Sequence, residues 1–304
     1  MDFGKLQDIS TVDFSLPKAH EKSKLVLNEY VKNSLSNVYV GCTGWSMPQW
    51  NGSWYPKATK SKDYLREYSL QFNTIEHNTT HYRIPDADTV LRWKMESADG
   101  FKFCPKIPQT ISHQHQLGLN GVEIKLFCEN IALLDEKMGC CFLQLPPHFT
   151  ADRLPILEHF LGKWSATIPL AIEVRNEQFF QHEKPSERFF SLLEKYNISS
   201  VITDVSGRRD VLHQRLTTNT AMVRFVGNDL HLTDYQRIDE WILQIMEWFE
   251  QGLQTLYFFS HQPENLKSPE MAVYFIEKLN LVLNSKAVPP KRFDEVKNEQ
   301  MSLF

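Results

Sequence analysis

Two short stretches carry polar side chains at alternate positions. In Thr74-Ile75-Glu76-His77-Asn78, Glu76 and Asn78 are two apart; in Leu170-Ala171-Ile172-Glu173-Val174-Arg175, so are Glu173 and Arg175. Extended backbone puts residues two apart on one face, so each pair projects together while its apolar neighbours point the other way. Taking polar residues near the ends of short apolar runs adds Thr43, Lys106, Gln144, Asp204, Arg224 and Ser260, with His81, Tyr82, Arg83 and His113 soon after such runs. The set holds the carboxylates Glu76, Glu173 and Asp204 and the cations Arg83, Lys106, Arg175 and Arg224. Charges gathered away from water must pair internally or hold an ionic ligand. One reading is a structural network in which Glu173 pairs with Lys106 or Arg224, and Glu76 with Arg83. The favoured reading has the cations clamp a phosphate or carboxylate while a carboxylate acts as acid, base or metal ligand, because so many charges at strand ends exceed what packing requires. Glu76, Glu173, Asp204 and His113 could offer hard ligands to a divalent ion. The His113-x-His115 pair is weak evidence for a metal. Neither G-x-S-x-G nor G-x-G-x-x-G is present after a strand, so nucleophilic-serine and dinucleotide signatures are lacking.

The elements that must position these groups follow from hydrophobic periodicity. Strands are expected at 38–40, 73–78, 101–106, 140–145, 170–175, 199–204, 221–225 and 255–260. Helices are expected at 61–72, 87–95, 122–137, 151–161, 186–196, 238–251 and 269–283. Eight short apolar strands alternating with helices over about 250 residues match a (β/α)₈ TIM-barrel-like single domain, whose chemistry sits at the strands' C-terminal ends. A doubly wound open sheet is the competitor. The domain is bounded at 37–285, after an N-terminal extension (1–36) with an amphipathic helix turning Leu25, Leu27, Tyr30 and Val31 inward, and before a flexible tail (286–304). The first connection, within Val38 to Pro56, carries Trp45, Trp50, Trp54 and Tyr55, an unusual load of large aromatics for a surface segment. It is expected to wall the pocket, with Trp45 touching ligand and Trp54-Tyr55-Pro56 packing the loop down.

A net charge of −4 and a pI near 6.3 argue against a protein wrapped in nucleic acid but leave room for a local basic pocket. Five cysteines without metal-ligand spacing read as buried, reduced thiols of a cytoplasmic protein. No signal peptide or membrane-length apolar run is evident, and no membrane association is expected.

The stretches GCTGWSMPQWNGSWYP, FNTIEHNTTHYRIP, FKFCPK followed by TISH, GCCFLQLPPHF, AIEVRNEQFF, ITD and MVRFVG resemble, in order and spacing, the YecE-like family (domain of unknown function 72) from about residue 38 to 283. The resemblance implies a TIM-barrel-like fold and no particular reaction. It carries over Glu76, Asn78, Tyr82, Arg83, Lys106, His113, Gln144, Glu173, Arg175, Asp204 and Arg224 as the polar positions of the site. Two departures stand out. His77 replaces a usual aliphatic and is expected to be a core histidine. Phe258-Phe259-Ser260-His261-Gln262 replaces an Asn-rich turn.

The chain ends Gln300-Met301-Ser302-Leu303-Phe304, which resembles the peptide by which bacterial DNA-repair and replication proteins dock on the sliding clamp. Leu303 and Phe304 would fill an apolar pocket with Gln300 as polar anchor. The leading expectation is thus a clamp-tethered hydrolase of a phosphate-bearing small molecule or nucleic acid. Glu76, Glu173 and Asp204 would be catalytic, with or without a divalent metal; Trp45, Trp50 and Tyr82 would stack on a base. A non-catalytic nucleotide or nucleic-acid binding module and a glycoside hydrolase are the alternatives.

Overall fold

The computed structural model describes residues 4, 6–30, 37–283, 285 and 287–294. Eight parallel strands run in chain order: β1 (Asn37–Gly41), β2 (Thr74–His77), β3 (Lys102–Pro105), β4 (Cys141–Gln144), β5 (Leu170–Glu173), β6 (Ser199–Asp204), β7 (Thr220–Val226) and β8 (Thr255–His261). The helices are α1 (Glu21–Asn28), α2 (Tyr64–Gln71), α3 (Ala87–Glu96), α4 (Gln109–Ser112), α5 (Glu123–Ile131), α6 (Leu154–Lys163), α7 (Gln178–Gln181), α8 (Glu183–Lys195), α9 (Leu232–Gln251) and α10 (Ser268–Val282). The fold is a single-domain α/β arrangement. Its ladders form a six-stranded sheet in the order β1-β8-β7-β6-β5-β4 and a β2-β3 pair.

Isolated bonds join the two sheets. Glu76 N–H donates to the Cys42 carbonyl at 3.1 Å between β2 and the end of β1. The Tyr68 hydroxyl receives Cys42 N–H at 2.7 Å and donates to the Thr74 carbonyl at 3.0 Å. On the other side, Gly139 N–H reaches Phe103 O at 2.8 Å and Ile107 N–H reaches Phe142 O at 2.9 Å. Gly41 makes the first junction sterically feasible, since a Cβ there would lie 2.1 Å from the Thr74 carbonyl oxygen.

Strands covered on both faces are apolar on both, and two cores result. The larger lies between strands and helices. The smaller gathers Tyr39, Cys104, Cys140, Phe142, Ala171, Val201, Met222, Tyr257 and Phe259 on the other face. Thr74 of β2 joins it, with its hydroxyl 3.7 Å from Cys104 Sγ. All five cysteines are free and buried, and burial pushes the Cys104 thiol up to about 12.

Several expected boundaries move. The single helix expected at 122–137 is α5 followed by a 3₁₀ turn, broken where Asp135 takes φ 50°. The β6–β7 connection contains only a 3₁₀ turn, Ser206–Val211, and no α-helix. The N-terminal extension packs there instead. Ser23 Oγ donates to Gln214 O and accepts Leu216 N–H, Lys22 pairs with Glu187 of α8, and Leu16 N–H reaches Glu240 of α9 at 3.1 Å. In α1, Leu27 is fully buried but Leu25 is 64% exposed, contrary to the expected inward face; Val31 lies outside the described residues. Within the segment expected as a tail, Phe293 N–H bonds Ser53 O and Arg292 lies over the Trp54 ring. Residues 295–304, with the clamp-like motif, lie outside the described residues. Among the described residues no helix is long and apolar enough to cross a membrane.

Candidate functional site

Strand parity decides which polar groups meet. Glu76 shares a face with Thr74, Lys106 with Cys104, Gln144 with Phe142, Glu173 with Ala171, Arg224 with Met222 and His261 with Phe259, so all stand beyond the smaller core. They frame a pocket of about 380 Å³, to which every strand or its C-terminal extension contributes: Thr43, Asn78, Lys106, Gln144, Arg175, Thr203, Arg224 and His261 in strand order. Exposed Tyr82 and Glu264 stand at its rim. A larger groove, about 540 Å³, lies along α5, is lined by Ile124, Cys128 and Lys163, and includes none of these groups.

Arg224 is the hub. Its Nε and Nη2 donate to the two oxygens of Glu76 at 2.8 and 2.9 Å, and Nη1 donates to Glu173 Oε2 at 2.7 Å. Arg175 Nε donates to Glu173 Oε1 at 2.7 Å. Asn78 and His261 complete Glu76, each at 2.8 Å. Gln144 Nε2 donates to Glu173 Oε2 at 2.8 Å, while its carbonyl oxygen accepts Lys106 Nζ at 2.8 Å. Burial alone would raise both carboxyls. Arg224 and His261 nevertheless hold Glu76 well below the usual range, and Arg175 and Arg224 hold Glu173 at about 2. For Lys106, burial and then the Arg224 charge pull the ammonium down to about 8. Among the described residues its ammonium donates to a neutral amide oxygen and joins no ion pair.

Among the described residues, three lining residues keep a buried polar atom without a partner: Thr203 Oγ1, His81 Nε2 and Asn265 Oδ1. The His81 Nδ1–H donates to the Ile107 carbonyl at 3.3 Å, leaving Nε2 as the acceptor nitrogen. Burial, with the Lys106 charge, lowers this imidazole to about 4.

The internal network expected from sequence is therefore present, with Arg224 bridging both glutamates; Arg83 takes no part and is exposed outside the pocket. Asp204 is not in this group. It lies on the opposite face of β6 from Val201 and Thr203, fully buried under α9, where it accepts from Arg237 (2.8 Å), Trp241 Nε1 (2.8 Å) and Arg209. Ser260 likewise faces away from His261's side. Trp45 packs at a 45° tilt against His77 and edges Trp93 and Phe103, outside the pocket lining. Trp50, Trp54 and Tyr55 are core. His77 is buried, with Nε2 2.5 Å from Thr79 Oγ1, and burial lowers it to about 3, as expected of a core histidine. His113 is exposed and meets His81 edge-on at 5.2 Å without lining the pocket. Among the described residues no three His, Cys, Asp or Glu side chains converge to hold a metal ion.

The family model described as "Protein of unknown function DUF72" matches residues 39–293. The chain belongs to the DUF72 family. The UPF0759 protein YecE of Escherichia coli K12 is 30% identical over 264 residues, 81% of this chain and 94% of YecE. YunF of Bacillus subtilis is 28% identical over 154 residues, 47% of this chain and 52% of YunF. The fold resembles crystal structures of DUF72 proteins from Enterococcus faecalis (TM-score 0.65, 20% identity, 82% of this chain and 99% of that one) and Thermotoga maritima (0.60, 23%, 80% and 99%).

Proposed function

We propose that the pocket takes up a small ligand bearing a phosphate or carboxylate. The observation that carries this reading is Lys106, a buried ammonium that among the described residues donates only to an amide oxygen and joins no ion pair. An uncompensated buried cation is costly, and an incoming anion would relieve it. The volume of about 380 Å³ is in the range of small-molecule sites. We also propose that the eight strands form a barrel; what supports it is that Arg224 on β7 reaches Glu76 on β2, which is not a neighbouring strand.

Hydrolysis by Glu76 and Glu173, of a phosphodiester or a glycoside, is the less supported reading. All four of their oxygens already accept from Arg224, Arg175, Gln144, Asn78 or His261, and Asp204 stands on the other side of its strand. A pocket of this size suits a nucleotide-sized or smaller molecule better than a nucleic-acid strand. Clamp docking by Gln300, Leu303 and Phe304 remains a proposal from the sequence of the tail.

Thermal denaturation with inorganic phosphate tests the pocket. A ligand at 100 times its Kd stabilises by about 2.7 kcal/mol, a Tm rise of about 5 °C for a chain of this size. Wild type should respond and Lys106→Met should not. Equal responses from both would refute the reading.

A further inference from the structure

We propose that Lys106 is an imine-forming amine and that the pocket's substrate is a small aldehyde or ketone bearing a carboxylate or phosphate. This rests on the anion-pocket reading above and adds the chemistry of the second group.

The geometry separates Lys106 from every carboxylate. Glu76 and Glu173 are turned toward Arg224 and Arg175, and Gln144 stands between Lys106 and Glu173. Its amide nitrogen satisfies the carboxylate and its oxygen holds Nζ, both at 2.8 Å. A lysine serving as an ion-pair partner would touch Glu173 directly. This one is oriented by a neutral group, with Phe142 beneath both it and Arg224 at 5.9 and 5.7 Å. Burial among guanidinium groups is a recognised way to make an amine nucleophilic near neutral pH. The charged and titratable groups near it are Arg175, Arg224, Glu76, Glu173, His81 and His113. They leave the amine pulled down to about 8.

The reaction balances without another reagent. The free amine attacks the carbonyl carbon, a C–N bond forms, and the carbonyl oxygen becomes the hydroxyl of a carbinolamine. That hydroxyl leaves as water as the C=N bond forms. Starting from the ammonium, Lys–NH₃⁺ plus R₂C=O gives Lys–NH⁺=CR₂ plus H₂O. The nitrogen's excess proton passes to the departing hydroxyl, and His81 Nε2, an acceptor with no protein partner beside the same pocket, is suited to carry it. Thr203 Oγ1 is the matching unpartnered group for a substrate hydroxyl.

The test uses full-length protein, glyoxylate as the smallest carboxylate-bearing aldehyde, and cyanoborohydride at pH 7, with modified lysines located by peptide mass. At that pH an amine of pKa about 8 is free about 200 times more often than an ordinary lysine of about 10.4. Reductive alkylation of Lys106 should therefore outpace that of exposed lysines such as Lys57 by at least about tenfold. Inorganic phosphate should slow it, and Lys106→Arg should abolish it. Labelling confined to exposed lysines, with phosphate still stabilising wild type but not Lys106→Met, would overturn the imine role and leave the anion pocket standing. Labelling of exposed lysines alone with no phosphate response would overturn both.

Discussion

Removing Arg224 isolates the central electrostatic claim. The side chain is fully within the network and makes three hydrogen bonds to two buried carboxylates. In Arg224→Met, Glu173 keeps Arg175, but Glu76 keeps only His261 and Asn78. Breaking a buried pair by deleting one partner costs about 3–5 kcal/mol. At about 2 °C per kcal/mol for a chain this long, Tm at pH 7 should fall by about 6–10 °C. The sign of the pH dependence follows from the two carboxyls. In wild type both are held below 4.5, Glu173 at about 2, so their stabilisation is complete above about pH 4.5 and is lost as pH falls toward 2. Between pH 7 and 5 wild type should therefore change little through these groups. In the variant, burial at Glu76 is opposed only by His261 and Asn78 and lifts its pKa, so protonation on acidification relieves part of the penalty. The Tm deficit should shrink by pH 5, and adding Glu76→Gln should recover much of it at pH 7. Differential scanning calorimetry of the three proteins at both pH values measures this. A deficit below about 2 °C, or one identical at pH 5 and 7, would refute the account.

Asp204→Asn should cost a similar 6–10 °C, about 3–5 kcal/mol, by weakening its hold on Arg209 and Arg237, yet leave the phosphate-induced Tm shift unchanged. Loss of that shift in a folded variant would return Asp204 to the pocket. A peptide of residues 295–304, titrated against a purified bacterial sliding clamp, should bind with micromolar affinity and lose binding on Phe304→Ala; a flat titration would remove the clamp from consideration.

The strand order and most helices were legible because each strand is a short apolar run bounded by turn residues, and periodicity reports such runs well. The N-terminal extension was harder. Its helix exposes Leu25 and buries Ser23, whose hydroxyl bonds the 214–216 segment nearly two hundred residues away. Polar burial of that kind depends on a distant partner, and no local pattern announces it. The expected helices already leave the β6–β7 connection without one, as the structure does, but periodicity cannot reveal that α1 packs against α8 and α9.

At the site, the sequence listed the right residue types but only parity could sort them. Collecting polar residues near strand ends swept in Asp204 and Ser260, although Val201-x-Thr203 and Phe259-x-His261 mark the inward face of those strands. Counting by twos from the inward apolar residue would have exchanged Asp204 for Thr203 and Ser260 for His261. Pairing was beyond reach in any case. Arg224 meets Glu76 across 148 positions of sequence, from β7 to a strand that is not its neighbour. That choice leaves Lys106 without a carboxylate. Had Arg224 served Glu173 alone, Glu76 would keep only His261 and Asn78. The proposed ligand class thus depends on a long-range pairing that no local pattern records.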